Sequence, residues 1–256
     1  MKFKAIYFLC CLCAFYSSVV SQPVALPAPM VTDHFIIKYE NGNASVDVQH
    51  VAEILEANYI MLTTKYHLPI PQNKIDVRIY ASTPYYTQAV KVKWWFGAIY
   101  QRGTIHLQPP AILQKRGILE TTLTHELVHA FLDNASLNGL PLWLNESAAV
   151  YFSGEMNRLK IPTSPGVRHF HDLERKIRTA RSKTELDKTY YLLGLTMKFF
   201  IEEYGEGSVQ ALLNSFEQPQ VIENVFNYAL GEDYQTVERK WFQHVQMKIR
   251  KSRVDF

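Results

Sequence analysis

Two histidines four residues apart, His125 and His129, enclose Glu126, Leu127 and Val128, and Glu146 stands seventeen positions after the second of them. This spacing constrains the fold more than any other feature of the chain. On a helix of about 3.6 residues per turn, residues i and i+4 lie nearly one above the other, so both imidazoles can aim a ring nitrogen at one point. Glu126 sits about 100° further round and falls beside that point rather than on it. The segment Leu137-Asn138-Gly139-Leu140-Pro141 carries turn-forming residues that can reverse the chain and start a second helix, returning Glu146 toward the histidines. Two imidazoles and a carboxylate suit zinc better than cobalt or manganese, and three protein ligands leave one tetrahedral position open, as in catalytic rather than structural sites.

The flanking residues support a helix without help from this pattern. Leu123, Leu127, Val128, Ala130, Phe131 and Leu132 form an apolar helical stripe, and Thr121, Thr122 and Thr124 do not break it. Asp133, four after His129, is placed either to accept a hydrogen bond from a ligand imidazole or to stabilise a turn.

With the following stretch Pro141-Leu142-Trp143-Leu144-Asn145-Glu146-Ser147-Ala148-Ala149, the helix from His125 to His129 resembles the gluzincin metallopeptidases, in particular the peptidase MA-like family. The likeness covers roughly residues 31 to 215, and its specificity resides in residues 118 to 152. It implies a zincin-like α+β fold, Zn2+ held by His125, His129 and Glu146, and Glu126 as general base. The family usually has glycine where this chain has Ser147, still a small residue compatible with close helix packing. The segment from Tyr190 to Gly205 resembles the tyrosine-led helix that follows the metal helices in this family, where a tyrosine or histidine donates a hydrogen bond to the oxyanion. By that resemblance Tyr191 is the first candidate and Tyr190 the second, one facing the cleft and the other the helix core.

The front of the chain bears on the compartment. Lys2 and Lys4 precede an apolar run from Ala5 to Val20, shorter than the ~20 residues a membrane span needs, and small residues near 21 suit cleavage before Gln22. Residues 1–21 therefore read as a secretory signal peptide and residues 22–30, rich in proline, as an extended linker, with an uncleaved membrane anchor as the weaker alternative. An exported protein, periplasmic or secreted, with no stable membrane insertion after cleavage is expected. Cys10, Cys11 and Cys13 all fall within that leader, so the mature chain would hold neither a disulfide nor a cysteine metal site.

Removing Lys2 and Lys4 leaves 25 basic against 24 acidic residues, a balance that gives no reason to expect nucleic acid or a membrane surface as partner. Two local basic clusters, one from Arg168 to Lys183 and one from Arg239 to Arg253, have acids and apolar residues interleaved and read as solvated helix faces.

Residues 31–256 are expected to form one catalytic domain, with a β-rich upper lobe at 31–116 and a helical lower lobe at 117–256. In the first, Phe35 to Tyr39 and Ile75 to Tyr80 read as strands and Val46 to Tyr66 as an amphipathic helix. Trp94 to Tyr100 and Thr104 to Leu107 read as a hairpin joined by Gln101-Arg102-Gly103, either lining a substrate groove or forming a plain sheet edge. In the second, helices are expected in part of Leu159 to Arg181, then at Thr189 to Tyr204, Val209 to Phe216, Val221 to Leu230 and Tyr234 to Arg250, with Gly205, Gly207 and Gly231 as stops. His169 and His171, two apart outside a strand, read as incidental. The expected activity is hydrolysis of a peptide or protein substrate. A catalytically lapsed zinc-containing binding protein and an effector-like peptidase with a single substrate are the alternatives.

Overall fold

Alternation of buried and part-exposed residues builds the sheet at the front of the molecule. Ile75, Val77 and Ile79 of β3 (Ile75–Ile79) point into the core while Asp76 and Arg78 face outward, and Phe35 and Ile37 do the same on β2 (Phe35–Tyr39). The computed structural model describes residues 27–40, 45–135, 140–216 and 222–254. The expected signal peptide, the greater part of the linker and residues 137–139 of the expected turn lie outside them.

Five strands form a mixed sheet in the order β1 (Met30–Val31), β2, β3, β5 (Thr104–Leu107), β4 (Ala98–Gln101). β2, β3 and β5 run parallel, and β1 and β4 flank them antiparallel, so β4 is an edge. Met30, assigned to the linker from sequence, is already paired with Ile37. Between β2 and β3 the chain crosses over through α1 (Ser45–Thr64), whose Val48, Val51, Ala52, Leu55, Tyr59 and Leu62 form a buried stripe at helical spacing.

The description of residues 31–116 as β-rich needs correcting, because α1 alone has as many residues as the five strands together. Two further helices there were not expected, α2 (Thr83–Val90) and α3 (Pro110–Lys115). Both carry proline in the first turn, where its missing N–H costs nothing, and Ser82 caps α2 by accepting from the Tyr85 N–H at 3.3 Å. The expected strand at Trp94 to Gly97 is a loop. Gln108 Nε2 donates to the carbonyls of both Trp94 and Phe96 at 2.7 Å, using the groups a strand would have paired, and pairing with β5 begins only at Ala98.

The remainder is helical: α4 (Leu119–Ala135), α5 (Leu142–Phe152), a 3-10 turn (Glu155–Arg158), α6 (Phe170–Thr179), α7 (Lys183–Asn214), α8 (Ile222–Leu230) and α9 (Tyr234–Val254). The two helices expected on either side of Gly205 abut end to end within α7, which is broken where Gly205 takes φ 81°. Gly207 does not stop it. Helix between Leu159 and Arg181 is confined to α6. α4 is buried on nearly all sides, with α1, β4 and β5 packed against one flank and α5 against another. One apolar core runs continuously from Phe35 on β2 to Ile249 on α9. The architecture is α+β, and among the described residues no helix is long and apolar enough to cross a membrane.

Candidate metal centre

α4 and α5 meet at the three residues singled out by spacing. His125 Nε2 lies 3.5 Å from Glu146 Oε2, His129 Nε2 lies 3.8 Å from Glu146 Oε1, and one potential ligand atom from each of the three falls within 4.8 Å of the others. Ligands on a tetrahedral zinc with bonds of about 2.0–2.1 Å stand roughly 3.3 Å apart, so a small closure of these side chains would suffice. Glu146 Oε2 is a buried oxygen without a well-formed hydrogen bond. This donor set and this unsatisfied atom fit a zinc ion.

The far side of each imidazole is also engaged. His129 Nδ1 shares a hydrogen bond with Asn145 Oδ1 at 2.6 Å, and His125 Nδ1 is 2.9 Å from Glu155 Oε2, an ion-pair contact outside hydrogen-bond geometry. Such partners fix ring orientation and turn Nε2 inward. Neither partner was anticipated. Asn145 adjoins Glu146 on α5, a local signal that could have been used, whereas Glu155 reaches the site only because the 3-10 turn packs beside α5 and α7. Asp133 serves neither suggested purpose, since it accepts from the Tyr100 hydroxyl at 2.7 Å and ties α4 to β4.

Glu126 lies beside the triad and is buried. Its Oε2 accepts the backbone N–H of Tyr100 at 2.6 Å, leaving the other oxygen for exchange of a proton. Arg102 and Gly103 both take positive φ, forming a two-residue turn that closes on Gln101 and Thr104. Alternate residues Ala98 and Tyr100 consequently present backbone groups away from β5, toward the side where Glu126 lies.

The order of the two tyrosines is reversed. Tyr190 stacks on the His125 ring, with centroids 5.7 Å apart and planes 15° from parallel, and its phenol lies near enough to Glu146 to feel that carboxylate's charge. Tyr191 instead packs against the apolar core and is not among the residues lining the cleft. The face of α7 carrying Leu186, Tyr190 and Gly194 at four-residue spacing lies against the 3-10 turn and the cleft, and Tyr191 is about 100° round from it. Ser147 is fully buried and donates to the Trp143 carbonyl at 2.6 Å, which spends its hydroxyl within α5. His169 and His171 lie far from the triad in sequence and outside its cluster; His169 pairs with Glu238 on α9 at 2.8 Å.

Burial pushes the Glu146 carboxyl up, but His125 and His129 beside it prevail and hold it at about 2. Burial would lower the His125 imidazole, yet Glu146 and Glu155 raise it well above its ordinary value. The same negative surroundings that would keep a proton on His125 favour a divalent cation in its place. Glu126 is raised by burial, which brings a carboxylate closer to neutral and makes it a better proton acceptor. Burial and the nearby carboxylates raise the Tyr190 phenol far enough that it remains a neutral donor.

A cleft of about 530 Å³ opens beside these residues, walled by Trp95 to Ala98 on one side and by the start of α7 on the other. Gly97 crosses the N-terminal part of α4 so closely that a Cβ there would lie 3.1 Å from both Thr122 and Leu113. A second cavity, of about 590 Å³ beyond Thr121 and Thr124, reaches none of His125, His129 and Glu146. Compared with known proteins, the chain matches no protein-family profile and no curated protein.

Proposed function

We propose that the chain is a zinc-dependent peptidase of the gluzincin type, acting on peptide or protein substrates after export. The observation that carries this reading is the convergence of His125, His129 and Glu146 with Glu126 alongside, His125 and Glu126 lining an open cleft. His125 and His129 through Nε2 and Glu146 through its carboxylate would hold the metal. Zinc would supply Lewis-acid polarisation of a carbonyl oxygen and lower the pKa of water toward about 7.

The protein groups supply the rest. Glu126, steadied by the Tyr100 N–H, takes a proton from the attacking water and returns it to the departing amine nitrogen. Tyr190 directs a neutral O–H into the site, where it stabilises negative charge on the attacked carbonyl oxygen. The outward backbone groups of Ala98 and the Tyr100 carbonyl offer an extended substrate an edge to pair with, the Tyr100 N–H being held by Glu126. Asn145 and Glu155 keep the ligand rings in register. A broad peptide-library digest with metal analysis, comparing wild type with Glu126→Gln, tests the reading. Cleavage by wild type, its loss in Glu126→Gln and equal zinc content in both are expected; undiminished cleavage by Glu126→Gln would overturn the assigned base.

A further inference from the structure

The cleft beside the triad is lopsided in charge. Arg116, Arg158, Lys160, Lys183 and Lys188 line it. Its acids are already engaged: Glu126 with the Tyr100 N–H, Glu155 with His125, and Asp187 with Lys183 at 2.6 Å. Among the described residues, no carboxylate lies within 4.0 Å of Arg116, Arg158, Lys160 or Lys188. These four come from three separate stretches of chain, the end of α3, the segment around the 3-10 turn, and α7. In a chain carrying 27 basic and 24 acidic residues, such a gathering around one cavity is a local feature, not a reflection of overall charge. Arg116 Nη2 is steered by the Trp95 carbonyl at 3.4 Å, which holds its guanidinium at the cleft wall.

Cations lining one small cleft surround a common space, so a group inside it meets several of them at close range, and the low-dielectric wall concentrates their field. Resting on the peptidase reading above, we propose that this cleft selects peptides bearing a carboxylate close to the scissile bond. The carboxylate is either an aspartate or glutamate side chain or the peptide's own C-terminus. A peptide fits better than a nucleic acid because the cleft wall continues into the free backbone edge at Ala98, which an extended peptide can pair with.

The test measures binding apart from turnover. Fluorescence anisotropy with zinc-loaded Glu126→Gln protein would compare four versions of one peptide, glutamate or glutamine near its centre, each with a free or an amidated C-terminus. The glutamate or free-carboxylate versions should bind about tenfold more tightly than the neutral amide at low salt, with the gap closing as salt rises. The glutamate and terminal arms identify which carboxylate is read. Neutralising two exposed cations together, Lys160→Gln with Lys188→Gln, should shrink the ratio at least threefold, as roughly expected for partly screened contacts. The wild-type-rim comparison alone decides the matter should that double variant fold poorly. Equal binding of all four peptides, binding of none, or tighter binding of a single-stranded oligonucleotide would overturn the proposal. Hydrolysis of the same peptides by the unaltered protein reports separately on the peptidase reading.

Discussion

Gly194 is where α7 approaches the turn that carries Glu155, and filling it with a methyl group should disturb both stability and metal affinity. A Cβ at this position would stand 2.7 Å from Met156 Sδ and 2.8 Å from Met156 Cβ and Cγ. Overpacking of that kind costs about 1–3 kcal/mol. Alanine in place of glycine inside a helix returns about 1 kcal/mol, so Gly194→Ala should destabilise by ~0–2 kcal/mol instead of stabilising. Met156→Ala removes the atoms in conflict. Because Met156 is only partly buried, that change alone should cost about 1–2 kcal/mol, below the range for a fully buried side chain. The double variant should then be more stable than the sum of the single effects predicts by about 1 kcal/mol or more. Met156 adjoins Glu155, so Gly194→Ala should also loosen the contact with His125 and weaken zinc binding by up to about tenfold. Urea unfolding of the four proteins, with zinc competition against a chromogenic chelator, measures both effects. A Gly194→Ala protein stabilised by the full propensity gain, additive with Met156→Ala and unchanged in zinc affinity, would refute the close approach and its link to the site.

Other outcomes follow from the same contacts. Glu155→Ala should weaken zinc binding about 10- to 100-fold while leaving the three ligands in place, and a change below twofold would show that Glu155 does not orient His125. Asp172 accepts the N–H groups of Arg168 and His169 at the start of α6; burial pushes its carboxyl up, but these bonds and Arg175 hold it below its ordinary value. A lowered folded pKa means stability that is present above the unfolded value of about 3.9 and lost as pH falls through the folded one. Asp172→Asn should therefore cost about 1 kcal/mol at neutral pH and progressively less below about pH 4, seen by urea unfolding across pH; a constant difference would argue against the charged cap.

What was legible in the sequence is what a single helix or a single strand encodes. His125, Glu126 and His129 required only helical geometry, and Glu146 required only that a second helix return. β2, α1 and β3 announced themselves through buried residues at periods of two or of three to four. Tyr190 and Tyr191 could not be ordered in the same way, because neighbouring residues on a helix differ only by rotation, and the rotation of α7 is set by Gly194 against Met156, a contact between distant segments. Glu155 belongs to the same class. The loop at Trp94 to Gly97 was misread because its aromatic residues favour strands, while the cause of its shape is the amide of Gln108 taking two of its carbonyls. The short helices α2 and α3 did leave local marks, a serine cap and early prolines, that apolar periodicity alone does not weigh.

The most direct measurement is a zinc titration into metal-stripped protein, monitored by a competing chelator, for wild type, Glu146→Ala, His129→Ala and His169→Ala. One tightly held zinc per wild-type chain, lost or greatly weakened in Glu146→Ala and His129→Ala and unaltered in His169→Ala, is the predicted result. No uptake by wild type, or undiminished affinity in Glu146→Ala, would contradict the assignment of α4 and α5 as the walls of a metal centre.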